Sequence, residues 1–126
     1  MLKKLTPVLY VDRVEDQLPF WMDLLGFEKT VEVPHDGALG FAILIRDSVE
    51  IMIQSHASVA ADVPALAGEK ARVPMFFETS NLDDIEERLA NVEKVFPRRT
   101  TFYGATEIAV RDPAGNVVTF AQFGAA

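Results

Sequence analysis

Apolar and polar residues alternate, then change period, twice along this chain. LTPVLYV at residues 5–11 reads as a strand, with Pro7 placing it at an edge or an early position. Leu18, Trp21, Met22 and Leu25 recur at helical spacing, so EDQLPFWMDLLGF predicts a helix. With Asp16 as its N-cap, Pro19 falls in the first turn, where a missing N–H costs little, and Gly26 supplies the C-terminal cap. Strands over 28–33, 39–45 and 49–54 follow, the first two separated by the Pro-His-Asp-Gly turn at 34–37. The unit is β-α-β-β-β.

Residues 55–72 lose strand alternation, are rich in Ala and contain Pro64 and Gly68, which predicts a connector with one short helical turn. The same order then restarts. A strand over 75–79 leads to a helix carrying Leu82, Ile85, Leu89 and Val92, with Ser80 as N-cap and Asp83 in the reciprocal capping position. Strands near 94–97, 105–110 and 116–123 complete it. IRDSVEIMIQ (45–54) and VRDPAGNVVTFAQ (110–122) echo each other at the ends of the two copies. Two units of about fifty residues are too few for a solenoid. Each alone would leave a sheet face bare, so copies must combine within or between chains. The expectation is one α+β domain over 1–126, with module one at about 5–54, a connector at 55–72 and module two at 73–123.

Composition narrows the functional classes. The chain has 126 residues, 49% of them hydrophobic, enough for a real core. No run approaches the ~20 apolar residues of a membrane span, and Pro7 and Asp12 interrupt the N-terminal apolar stretch. No membrane association and a cytoplasmic location are therefore expected. The absence of cysteine excludes disulfides, thiolate zinc sites and a cysteine nucleophile. Twelve Lys and Arg against nineteen Asp and Glu give a net charge of −7, and Arg98-Arg99 is too short a basic cluster for nucleic acid. No Gly-x-Ser-x-Gly or phosphate-binding glycine loop is present. His35 lies in a turn and His56 opens the connector. A metal site made by both with Glu50 is compatible with spacing, but two unpaired loop histidines read more simply as solvated side chains. Trp21, in register with Leu18 and Leu25, reads as core. In the Phe76-Phe77 pair, strand alternation sends one ring to each face.

FWMDLLGFEK (20–29) and EIAVRDPAGNVVTFA (107–121), on tandem β-α-β-β-β units, resemble the vicinal-oxygen-chelate superfamily of glyoxalases, bleomycin-resistance proteins and extradiol dioxygenases, most of all its bleomycin-resistance branch. The resemblance spans residues 5–123 and implies two curved mixed sheets around a cleft, in a homodimer. It also implies four cleft positions that hold a divalent metal in the family's enzymes, falling here on Thr6, Glu50, Pro74 and Thr119. Only Glu50 is a carboxylate, and a catalytic metal needs about three protein ligands, so no metal and no other cofactor is expected.

By the same register, Thr6, Val8 and Tyr10 of the first strand face the cleft, with Leu9 and Val11 inward. Glu50, Met52 and Gln54 face it from the fourth, and Phe76 and Glu78 from the second unit, while Phe77 packs inward. The resulting ligand-binding set is Thr6, Val8, Tyr10, Glu50, Met52, Phe76, Glu78 and Thr119, with no catalytic residue. Rings would stack on Phe76 or Tyr10, and Glu50 or Glu78 would pair with a positive tail. The implied function is sequestration of an amphipathic small molecule, cationic ones included, as in antibiotic resistance. The alternatives are a metal-dependent lyase, isomerase or dioxygenase, and an interaction protein with an empty cleft.

Overall fold

The computed structural model describes residues 1–124, which divide into two compact units, Met1–Ala71 and a second beginning at Arg72. Each holds one four-stranded mixed sheet. In the first unit the strands are β1 (Val8–Val11), β2 (Glu28–His35), β3 (Ala38–Arg46) and β4 (Val49–Ser55), ordered β1-β4-β3-β2. In the second they are β5 (Met75–Glu78), β6 (Lys94–Thr100), β7 (Ala105–Arg111) and β8 (Val117–Phe123), ordered β5-β8-β7-β6. In each sheet the outer first strand runs parallel to the last, and the other pairings are antiparallel. Identical order and direction make the two units copies of one plan, the α+β architecture expected. Among the described residues no helix is long and apolar enough to cross a membrane.

One sheet face in each unit is buried. In the first, Leu9, Val11, Ala42, Leu44, Ile51 and Ile53 are buried, as are Phe20, Trp21 and Leu25 of the connecting helical segment. Trp21 is fully buried and meets Phe20 and Phe27 edge-on, with ring centroids 5.0 and 5.4 Å apart, a favoured aromatic geometry. In the second unit, Phe77 meets Phe120 edge-on at 5.3 Å, while Leu82, Ile85 and Leu89 are buried from the helical side.

The first connecting segment departs from the regular helix expected. It is a 3-10 turn over Glu15–Gln17 followed by a π-helical turn over Pro19–Leu24. Asp16 does not cap it; its Oδ1 instead accepts a 3.4 Å bond from Arg13 Nε. Pro19 opens the π turn, where its fixed φ suits a helix start. Leu25 N–H reaches Phe20 O, five residues back. Gly26 (φ 75°) then reverses the chain and lets Phe27 N–H donate to Trp21 O at 2.9 Å, a left-handed position that disfavours residues with a Cβ.

Three other boundaries differ from expectation. The connector holds a seven-residue helix, α1 (His56–Asp62), capped by Ser55 Oγ, which accepts from Ser58 N–H at 3.1 Å. The helix α2 (Leu82–Arg88) is capped by Asn81, whose Oδ1 accepts from Asp84 N–H at 3.2 Å, and not by Ser80. The first strand begins at Val8, not Leu5. The β2–β3 turn is tight because Asp36 and Gly37 both take positive φ (48° and 83°), the pairing that matches strand twist in a two-residue hairpin.

The Asp-Pro-Ala-Gly-Asn turn before β8 is built around a buried carboxylate. Asp112 Oδ1 accepts from Ala114 N–H (3.1 Å) and Asn116 N–H (2.8 Å), and Oδ2 accepts from Asn116 Nδ2 (2.9 Å). Burial holds the Asp112 carboxyl above its ordinary pKa, and the hydrogen bonds from Asn116, Ala114 and Gly115 oppose that shift. Asn116 Oδ1 in turn accepts from Val73 N–H at 2.8 Å, which ties the approach of β5 to the start of β8. The motif is thus structural.

Replacing Trp21 by Ala removes the centre of the first unit's aromatic cluster. Chemical denaturation is expected to show a loss of ~3–5 kcal/mol, and an unchanged midpoint would contradict its core role.

Candidate ligand-binding faces

Residues directly opposed on neighbouring strands point to the same side of a sheet, so register assigns the second face of each unit. In the first unit one row runs Val8, Met52, Ile43, Val31 and the next Tyr10, Gln54, Phe41, Val33. Glu50, Ile45 and Glu28 form a third row beside them. These side chains are half-buried or exposed, Val31 and Val33 at 42% and 48%. The structure therefore brings Val8, Tyr10, Glu50 and Met52 onto one largely apolar face, and Thr6 joins them through Glu50.

Glu50 is already engaged on that face. Its Oε1 accepts from Thr6 Oγ1 and from Lys4 Nζ, each at 2.9 Å. The Lys4 hydrogen bond first, and the Thr6 hydroxyl second, hold the carboxyl below the usual glutamate range. A carboxylate at this edge is consequently a closed ion pair with Lys4, whose side chain is 60% exposed.

The second unit presents a different face. One row runs Phe76, Thr119, Ala109, Phe96, and the next Glu78, Ala121, Glu107, Arg99. Thr119, Ala109 and Ala121 on the two central strands thus lie between aromatic or charged side chains on the edge strands, with Glu107 beside them. Phe76, 52% exposed, is 6.3 Å from Phe123, which is 6.0 Å from Tyr103. Of the expected residues, Phe76, Glu78 and Thr119 share this face, and Phe77 points away into the Phe120 contact.

At its centre is Glu107, only 2% exposed, with both oxygens bound. Oε1 accepts from Arg99 Nε (3.1 Å) and Nη2 (2.8 Å), and Oε2 accepts from the Tyr103 hydroxyl (2.7 Å). The Arg99 guanidinium lies 3.6 Å above the Phe96 ring centroid, a cation–π contact. Donation to Glu107, and then burial, keep the Tyr103 phenol above its ordinary pKa.

Sequence reading missed Glu107, Arg99, Tyr103, Phe96 and Phe123. Glu107 was legible, since strand alternation puts it on the same face of β7 as Ala105 and Ala109. Phe96 and Arg99 were not: the pairing of β6 with β7 slips between them, so residues three apart reach the same face and simple alternation separates them.

The histidines lie elsewhere. His35 ends β2 with Nε2 3.4 Å from Asp36, and His56 opens α1 with Nε2 3.6 Å from Asp12. Among the described residues no group of three or more His, Asp or Glu side chains is placed to hold a metal ion.

Two β-α-β-β-β units of this order define the class, and comparison with known proteins identifies it. The sequence profile described as Glyoxalase/Bleomycin resistance protein/Dioxygenase superfamily matches residues 4–120. The chain belongs to that superfamily. Among solved structures, a glyoxalase/bleomycin resistance protein/dioxygenase from Nocardioides superposes with TM-score 0.75 at 18% identity, over 98% of this chain and 85% of that one. Lactoylglutathione lyase from Agrobacterium tumefaciens gives 0.76 at 17% identity, over 95% and 92%. TioX from Micromonospora sp. ML1 gives 0.75 at 17%, over 97% and 99%. At such identities these likenesses show the shared fold. No curated protein matches the sequence.

The Lys4–Glu50 pair generates a pH prediction. Because the folded-state pKa of Glu50 is lowered, its contribution to stability is present above the ordinary glutamate range and fades as pH falls through the lowered value. An NMR titration should place Glu50 below a free glutamate, and Lys4→Ala should move it back up. A midpoint insensitive to Lys4 would show that the pair does not form in solution.

Proposed function

We propose that the protein binds an amphipathic, aromatic small molecule without transforming it, and that sequestration is its function. The observation that carries this reading is the exposed aromatic row of the second unit, Phe76, Phe123 and Tyr103, laid beside short side chains on the central strands. Exposed rings of this kind are costly to leave in water and offer stacking area to a flat guest. Val8, Tyr10 and Met52 supply a second apolar surface on the first unit, where the flexible thioether adapts to varied shapes.

The donor chemistry supports binding over catalysis. At the four positions where the superfamily's enzymes place metal ligands, this chain has Thr6, Glu50, Pro74 and Thr119. Thr6 donates its hydroxyl to Glu50, and Glu50 is paired with Lys4. Pro74 has no side-chain donor atom, and a neutral threonine hydroxyl is a feeble ligand for a divalent ion. This set does not suit a divalent metal, so no step is routed through one. A lyase, isomerase or dioxygenase would require about three such ligands and an open position.

Of the carboxylates on these faces, Glu50 is paired with Lys4 and Glu107 with Arg99, while Glu28 is exposed on the first unit and Glu78 is exposed beside Phe76 on the second. A positive group on a guest stacked on Phe76 is therefore directed to Glu78. Protection of a cell would follow from mass action, which requires tight binding and no turnover. The proposal includes a homodimer, as the superfamily resemblance implies, and a cytoplasmic location.

The test is fluorescence titration with N-phenyl-1-naphthylamine, an uncharged aromatic probe. Phe76→Ala should weaken binding by ~1–3 kcal/mol with little change in melting temperature, since the ring is half exposed. Equal affinity in both proteins would remove Phe76 from the site, and no saturable binding by either would refute the function.

A further inference from the structure

The second unit's open face presents a cation, Arg99, beside its aromatic row, even though a glutamate lies at its centre and the exposed Glu78 lies across the sheet. Glu107 is buried, and both of its oxygens are taken by Arg99 and Tyr103. Arg99, by contrast, has a side chain 54% exposed. Its Nε and Nη2 edge is turned to Glu107, and its plane rests on Phe96. The Nη1 edge has no hydrogen-bond partner among the described residues. A guanidinium normally loses considerable rotamer freedom on binding, but this one is fixed on one edge and one face beforehand. The arrangement is a pre-oriented donor pair beside the aromatic row formed by Tyr103, Phe123 and Phe76.

We propose that Arg99 is the specificity-determining residue of this face and receives an anionic group, a carboxylate or sulfonate, carried by a planar aromatic guest. The proposal rests on the binding function above and adds the chemistry of the guest. The ring of such a guest lies against Tyr103 and Phe123, and its anion meets the free Nη1 edge. A net charge of −7 does not oppose this, because charges beyond a Debye length of ~8 Å are largely screened and the contact at Arg99 decides. A cationic group on the same guest would reach Glu78, in the same row across the sheet.

The experiment compares two probes with nearly the same ring system, 1-anilinonaphthalene-8-sulfonate and its uncharged relative N-phenyl-1-naphthylamine, on wild type and on the double variant Arg99→Gln/Glu107→Gln. The double change removes both charges together, so that no buried carboxylate is stranded, and retention of the near-UV circular dichroism spectrum checks the fold. The sulfonate should bind the variant about tenfold more weakly than wild type, while the uncharged probe changes by less than about twofold. Should the double variant not fold, Arg99→Lys serves instead. It keeps the ion pair with Glu107 but loses the planar fork, and should weaken the sulfonate selectively, by about threefold. Equal loss for both probes, or no loss for either, would overturn the assignment of Arg99 while leaving the binding function standing. Saturable binding of neither probe to wild type would overturn both.

Discussion

Strand alternation governs this molecule. Each sheet buries one face against a short helical segment rich in large apolar side chains, and the twofold period of the strands then fixes what the opposite face must carry. Leu9, Ile51, Ile53 and Leu44 face the core of the first unit, so Tyr10, Glu50, Met52 and Ile43 cannot. The same constraint in the second unit turns Phe77 inward onto the buried Phe120 and turns out Phe76 and Thr119. A one-residue slip in either sheet would exchange core for surface, which is why turns with fixed geometry, such as Asp36-Gly37 and the Asp112-centred loop, bracket the strands.

Both open faces neutralise their central carboxylates internally. On the first, Lys4 and Thr6 converge on one oxygen of Glu50; on the second, Arg99 and Tyr103 divide the two oxygens of Glu107. The effects differ because burial differs. The Glu50 pair is open to solvent through Lys4, whose side chain is 60% exposed, so it is screened and its worth is small. Glu107 is enclosed, so leaving its charge without Arg99 would be far costlier, and the arginine is correspondingly held in place. A group held in place by necessity is also ready to bind, and that links the packing of the second face to its proposed recognition chemistry.

The fold was almost entirely legible in the sequence. Two shifts between period two and helical period, with turn chemistry at Asp36-Gly37 and Asp112–Asn116, were enough to give the order of elements and their repetition. What escaped was local. Asp16 and Ser80 looked like caps by composition, but Asn81 caps α2 and the first segment begins as 3-10 and π turns, because hydrogen-bond geometry chooses among neighbouring polar residues that sequence alone ranks alike. The site was half legible. Faces assigned by alternation, including those of Phe76, Glu78, Met52 and Tyr10, agree with the structure. Phe96 and Arg99 were hidden by the irregular register of β6, and the pairing of Lys4 with Glu50 joins a strand to residues outside any element.

This chain has the superfamily's fold, and our proposal is that its four cleft positions do not suit a divalent metal and that it binds without catalysing. Elemental analysis of protein purified without chelator, after growth with divalent metals supplied, tests that most directly. Only trace metal is expected, unchanged by Glu50→Gln. Near-stoichiometric divalent metal that disappears in Glu50→Gln would contradict it and make the protein a metalloenzyme.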